Sequence, residues 1–174
     1  MHTTTIWQPW ASLIPIGAKP FETRAYPPPA KLIGQRIAIH AAVKDPSPMM
    51  NDMDRATVEA IADALEAGGL GHRVCWSALP RGAVIATAVL AGAYRCAWTQ
   101  HHLSSGTPLR NPVVHISEHR GPYIGATLNL DPFGDYSPGR WCWHLTDVQR
   151  LPKPVPAKGK QGWWFWEPPA REAA

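Results

Sequence analysis

The sequence has little charge and little cysteine. Charged residues make up 17% of the 174 positions, too few for a solvated charged helix array or a disordered chain held open by like charge. The three cysteines, Cys75, Cys96 and Cys142, are scattered and odd in number, with no C-x-x-C pair. That excludes a disulfide framework and a cysteine-based zinc site, and leaves reduced, buried thiols as the expectation. No apolar run approaches the length needed to span a membrane, so no membrane partner is expected. The start, Met1 to Thr5, lacks a basic segment followed by an apolar stretch, and a cytoplasmic protein without a secretory signal is expected. His115 and His119 are four apart, but Pro112 and Gly121-Pro122 flank them, which argues against a helical zinc pair. No metal and no cofactor are expected, and no internal repeat or low-complexity segment is present.

What the chain does have is tryptophan and proline. Nine tryptophans, nineteen prolines and a 45% hydrophobic content suit a globular domain of short strands joined by stiff loops, and argue against a helical bundle. One domain is expected over residues 1–167, with 168–174 as a frayed tail. The net charge of +4 and pI near 9.2 make a polyanion a plausible partner.

Along the chain, Trp7 to Ile16 predicts a short helix, with Trp10, Leu13 and Ile14 on one face and Gly17 as its stop. Pro15 would limit that helix to about two turns. Ile37, Ile39 and Ala41 alternate with Arg36, Ala38 and His40, which predicts a strand; His40 is either a cleft residue or a satisfied structural one. Asn51 to Gly68 predicts one amphipathic helix packed on the sheet, with Asn51, Asp52 and Asp54 as candidate caps and Val58, Ile61 and Leu65 inward. Leu79 to Gly82 reads as a turn into a central strand, Ala83 to Leu90. From Tyr94 to Pro112 the pattern fades into a predicted surface excursion. Short strands follow over Val113 to Ile116 and Ile124 to Leu130, then a loop over Asp131 to Arg140. Trp141, Trp143 and Leu145 alternate with Cys142, His144 and Thr146 as in a half-buried strand; the tryptophans serve either the core or base stacking. Leu151 to Lys160 is an extended proline run with three lysines, and Gly162 to Trp166 predicts a closing strand.

The stretch Gly17-Ala18-Lys19-Pro20-Phe21-Glu22-Thr23-Arg24 carries the chemistry. It sets a lysine, a glutamate and an arginine within six positions, beginning at a turn-forming glycine. On an extended segment Glu22 and Arg24 share one face and Phe21 and Thr23 the other, and Lys19 can reach over the first. A carboxylate between two cations on a rigid edge suits an anionic ligand with hydrogen-bonding edges, such as a nucleotide. A surface salt-bridge cluster is the rival reading.

These residues, with Gln8-Pro9-Trp10-Ala11-Ser12-Leu13, Ile37-Ala38-Ile39-His40-Ala41-Ala42, Leu79-Pro80-Arg81-Gly82 and Lys158-Gly159-Lys160-Gln161-Gly162, carry a resemblance. The chain resembles the ASCH domain (activating signal cointegrator homology) family of the PUA-like superfamily. The family pattern G-x-K-x-x-E-x-R is met by Gly17, Lys19, Glu22 and Arg24. The likeness spans nearly the whole chain apart from residues 95–125 and the tail. It implies an α+β fold, a small, mostly antiparallel β-barrel flanked by two or more helices, with a cleft beside the charged turn. It also implies a nucleic-acid-binding module for RNA or another single strand. In that module Lys19 and Arg24 meet phosphate or a base acceptor, Glu22 accepts from a base or sugar, and Gln8 and His40 belong to the same site. Trp10 or Tyr136 stacks, and Arg140, Lys158 and Lys160 extend the basic track. Some relatives are hydrolases, acting as ribonucleases or removing the acetyl group from acetylated cytidine. The alternative is therefore an enzyme on RNA or a modified nucleoside using Lys19 and Glu22. The deacetylating branch has a threonine three positions after its lysine; this chain has Glu22 there. A protein-interaction domain with purely structural tryptophans is the third reading.

Overall fold

The computed structural model describes residues 1–70, 75–102, 108–125 and 127–169. It is α+β, dominated by one sheet of eight strands. The chain begins as a strand, β1 (His2–Ile6), makes a single helical turn, α1 (Trp10–Leu13), and enters β2 (Phe21–Arg24) and β3 (Arg36–Ala41). Two helices follow, α2 (Ser47–Asp52) and α3 (Arg55–Ala67). The rest is strand: β4 (Ala83–His102), β5 (Pro108–Arg120), β6 (Thr127–Asn129), β7 (Trp141–Pro156) and β8 (Trp163–Phe165).

The sheet order is β2-β7-β4-β3-β1-β8, with β5 beside β4 and β6 beside β5. Pairing is antiparallel except where β1 lies parallel to β3, Thr5 opposite His40. The expected barrel is not formed: the path is open, and β2 and β8 stand at its ends without a ladder between them. The sheet nevertheless curls. Long β4 shifts register against β7 three times, between Val84 and Ala86, Thr87 and Val89, and Leu90 and Gly92, and such bulges bend a strand and increase its twist. Side chains span the remaining gap. Trp143 of β7 stacks on Trp163 of β8 with ring centroids 5.2 Å apart, and Arg24 of β2 donates through Nη2 to the Thr5 carbonyl of β1 at 2.8 Å. The main core, which includes Ile37, Ile39, Ala41, Leu90, Trp143 and Leu145, belongs to these curled strands.

Several expectations change. The N-terminal residues form β1, whose three threonines suit a strand. The helix near Trp10 is shorter than expected, because the backbone leaves helical bonding before Pro15, which has no N–H to donate. Gly17 then adopts φ 78°, a turn that a residue with a Cβ resists. The expected single helix is two. Met53 is extended, and Asp54 caps α3 by accepting from the Thr57 amide at 2.9 Å. That helix packs not on the sheet but on α1 and α2, with Ile61 and Leu65 joining Leu13, Met50 and Leu79 in a satellite core. The excursion expected after Tyr94 is largely strand: β4 runs through His102 and β5 returns from Pro108. The proline run is tolerated inside β7 because Pro152 and Pro154 fall where the register against β4 jumps from Arg150 to Val155. Cys96 and Cys142 are buried as expected, but Cys75 is exposed. Of the expected tail, only 168 and 169 are described, both exposed; 170–174 lie outside the described residues. No described helix is long and apolar enough to cross a membrane.

Candidate functional site

A cavity of about 1120 Å³ opens beside the Gly17 to Arg24 stretch, bounded by β1, β2, the end of β3, the loop around Asp135 and the segment Ala157 to Gly162. Its volume is slightly larger than the usual small-ligand pocket. Lys19, Glu22, Arg24, Trp10, His40, Arg140, Lys158 and Lys160 all line it, so eight residues singled out from sequence converge although 150 positions separate the first, Trp10, from the last, Lys160, along the chain.

Lys19 lies deep in its wall. The residue is 1% exposed, and its Nζ donates to the Phe21 carbonyl at 2.6 Å and faces Asp131 Oδ1 at 3.8 Å. The other carboxylate oxygen of Asp131 accepts from the Tyr136 hydroxyl at 2.7 Å, and the Tyr136 ring lies under the ammonium, its centroid 5.9 Å away. Burial and the Asp131 carboxylate push the Tyr136 hydroxyl far above the ordinary phenol range. A cation this deep costs several kcal/mol of solvation unless paired, and Asp131 supplies the countercharge.

Glu22 and Arg24 project from the same face of β2, as the alternation predicts. Arg24 Nε is 2.9 Å from Glu22 Oε1, close in charge but off the hydrogen-bond axis. The guanidinium is fixed twice more, by the Thr5 carbonyl and by the Trp143 ring at 5.7 Å. Thr5 is a junction: beside it in β3 lies His40, and its hydroxyl accepts from Trp164 Nε1 at 3.1 Å and donates to the Lys160 carbonyl at 3.0 Å. His40 is 1% exposed. Its Nε2 meets the Ala157 carbonyl at 3.1 Å, which requires the proton on that nitrogen. Nδ1 is then an acceptor, and it has no hydrogen-bond partner among the described residues. Burial lowers the His40 pKa, partly countered by the Ala157 carbonyl.

The rim is basic and aromatic. The segment carrying Lys158 and Lys160 is tied down at His40, at Thr5 and by the Ala157 amide donating to the Gly82 carbonyl at 3.0 Å. Both lysines are exposed and make no ion pair among the described residues. Arg140 Nε lies 3.1 Å from Asp135 Oδ2. Burial tends to raise the Asp135 pKa, but hydrogen bonds from Ser137 and the charge of Arg140 hold it below the usual carboxylate range. Trp7 and Tyr26 stand about half exposed at the mouth, with Lys44 Nζ 4.1 Å from the Trp7 ring centroid.

Two expected site residues do not reach the cavity. Gln8 is buried; its Nε2 donates to Ser12 Oγ and the Pro80 carbonyl, and its Oε1 accepts from the Ser12 amide. It fastens α1 to the loop before β4. Tyr136 is 2% exposed and offers no stacking face, serving instead as the partner of Asp131. Lys19 and Glu22 are not each other's ion pair: Glu22 goes to Arg24 and Lys19 to Asp131. Sequence reasoning missed Thr5, Trp7, Tyr26, Lys44 and Asp131. The flanking strands give little local sign that distant positions meet there, although a tryptophan just before a proline turn was a readable signal at Trp7.

Set against known proteins, the chain matches no family model and no curated protein.

Proposed function

We propose that the cavity binds single-stranded nucleic acid, RNA in the first instance, in the manner of an ASCH-like module. The carrying observation is the convergence of Lys44, Arg140, Lys158 and Lys160 with half-exposed Trp7 and Tyr26 around one cavity whose interior presents Glu22 and Arg24 side by side. Rim cations attract a phosphate backbone, aromatic faces accept unstacked bases, and the paired carboxylate and guanidinium offer an acceptor and a donor to a base edge. Bases in a duplex have no free edge of this kind, so the reading favours single strands. The curled sheet with flanking helices is compatible with a relative of the PUA-like folds, its strand ends bridged by side chains instead of a ladder.

The geometry supports binding over the hydrolase reading. Lys19 Nζ donates to a carbonyl and faces a carboxylate, an arrangement that satisfies a charge and does not aim a lone pair at a substrate. The experiment is titration of a short labelled RNA at several salt concentrations, with Lys158→Ala/Lys160→Ala alongside. Binding that weakens with salt, with a shallower slope in the double variant, is expected. Absence of binding at low salt overturns the proposal.

A further inference from the structure

Strands β4 and β5 run on beyond the cavity and carry an aromatic pair that it does not use. Trp98 of β4 stands opposite His115 of β5, and the two rings are stacked, centroids 3.7 Å apart and planes 20° apart. Trp98 is nevertheless 46% exposed. Its neighbours fix which way it faces. Thr99 donates through its hydroxyl to the Tyr136 carbonyl, and Val114, opposite Thr99, belongs to the same buried cluster as Tyr136. The next pair in the ladder, Trp98 and His115, therefore projects from the other face of the sheet. That face leads back to the cavity. Half-exposed Tyr26 lines the mouth and meets Trp143 edge-on at 5.9 Å. Trp143 lies opposite Ala93, and Ala93 opposite Arg120, whose guanidinium is 5.7 Å from the Trp141 ring centroid. Arg95 follows, opposite Trp141 and exposed, with Glu118 at 3.4 Å. From Ala93 to Trp98 is about 15 Å of strand.

Resting on the reading of the cavity as a single-strand site, we propose that Trp98, seated on His115, is a second stacking subsite for the same strand, which leaves the cavity at Tyr26 and crosses Arg120 and Arg95 to reach it. An exposed indole backed by another ring is already held in one orientation, so a base that stacks on it costs little further side-chain entropy. The two arginines between the aromatic platforms give the alternation of cation and ring that single-strand grooves use. Glu118 does not block this role: its pairing with Arg95 is exposed on both sides, a contact weak enough for a phosphate to displace. The surroundings favour a nucleic acid over a protein partner. Among the described residues of β4 and β5, Trp98 is the one large hydrophobic side chain that is exposed, and a lone apolar group ringed by charge is too little for the apolar centre of a protein interface. Every base has a face to stack, so the subsite adds affinity and site length without sequence preference.

The test uses the full chain and labelled oligouridines of about 4 and about 12 nucleotides, lengths that bracket the site sizes of single-strand modules, compared by fluorescence anisotropy at fixed salt. Trp98→Ala is expected to weaken binding of the long probe about tenfold and to leave the short probe unaffected, while Trp98→Phe keeps much of the long-probe affinity. On the unaltered protein, long probes carrying 4-thiouridine at successive positions are irradiated and the linked peptides identified by mass spectrometry. A link to the peptide holding Trp98 or His115, made by the long probe and not by the short one, is expected. Undiminished long-probe affinity in Trp98→Ala, equal losses on both probes, or no link to either peptide overturns the proposal and leaves binding in the cavity intact. Failure of every probe to bind overturns both. The linking experiment decides the matter even if Trp98→Ala does not fold.

Discussion

Arg24 on the first edge of the sheet donates to the main-chain carbonyl of Thr5 near the opposite edge, 2.8 Å away. One side chain thus holds two ends of an open sheet at the spacing a closed barrel would have fixed with a backbone ladder. The same guanidinium contacts Glu22 and lies over Trp143, so the device that tethers the edges also shapes the ligand cavity.

Arg24→Ala is therefore expected to lower both stability and binding. It leaves Glu22 nearly buried without a countercharge and removes the tether, a loss of about 2 kcal/mol. Arg24→Lys restores the charge but not the fork, and is expected to recover stability in part while RNA affinity stays reduced. Urea denaturation paired with anisotropy titration checks this; an Arg24→Ala variant with unchanged midpoint contradicts it.

The rim lysines should separate charge from fold. Lys158 and Lys160 expose their ammonium groups on a segment anchored by main-chain contacts, so alanine at both is expected to leave the thermal midpoint within about a degree, since surface substitutions rarely matter by more than about 0.5 kcal/mol. The slope of log affinity against log salt is expected to fall by about 0.7 for each lysine that meets a phosphate. An unchanged slope places the strand elsewhere.

Acid should destabilise the fold through two histidines. His40 and His144 both have pKa values lowered from 6.5 by burial, so the unfolded chain takes up protons before the folded one does. Stability is then full above about pH 6.5 and falls as pH drops below it, down to the folded values. Protonation of His40 also turns its free acceptor into a donor. Denaturation midpoints measured between neutral and mildly acidic pH check the direction. The pH dependence should shrink in His144→Phe, which preserves the stacking on Phe21.

The sequence made β3, the central β4 and the alternating part of β7 readable, because their apolar periods are strong and local. It also placed Glu22 and Arg24 on one face, since alternation along a strand needs no tertiary knowledge. The open sheet was not legible: whether β2 and β8 pair depends on bulges in β4, which no single residue announces. Nor was Asp131 as the partner of Lys19, because 112 positions separate them and an Asp-Pro pair in a loop looks like ordinary turn chemistry. His40 was open between a cleft residue and a structural one; the structure shows its Nε2 holding the Ala157 carbonyl in a residue that also lines the cavity.

Gly159 shows how tightly that histidine is enclosed. A Cβ there would lie 2.3 Å from His40 Cε1, in the middle of a segment held at both ends. Gly159→Ala is expected to cost about 1–3 kcal/mol and to weaken RNA binding by displacing Lys158 and Lys160. A Gly162→Ala variant is the contrast: its Cβ would meet nothing within 4 Å, but φ there is 70°, so it loses stability through backbone strain of about 1 kcal/mol without touching His40. Equal effects of the two on RNA affinity would deny the His40 contact its role.

Tyr136 offers the sharpest separation of a stacking role from a structural one. Tyr136→Phe keeps the ring beneath Lys19 and removes only the hydroxyl that Asp131 accepts from at 2.7 Å. Were the ring a base platform, the variant would bind RNA normally and fold normally. With the hydroxyl as a buried partner, its loss leaves one Asp131 oxygen unsatisfied beside a buried lysine, and a stability loss of about 1–3 kcal/mol is expected. RNA affinity, measured well below the variant's melting temperature, is expected to change little, because Lys19 keeps its bond to the Phe21 carbonyl. A variant that is fully stable and binds RNA normally would return Tyr136 to the stacking set, against its 2% exposure.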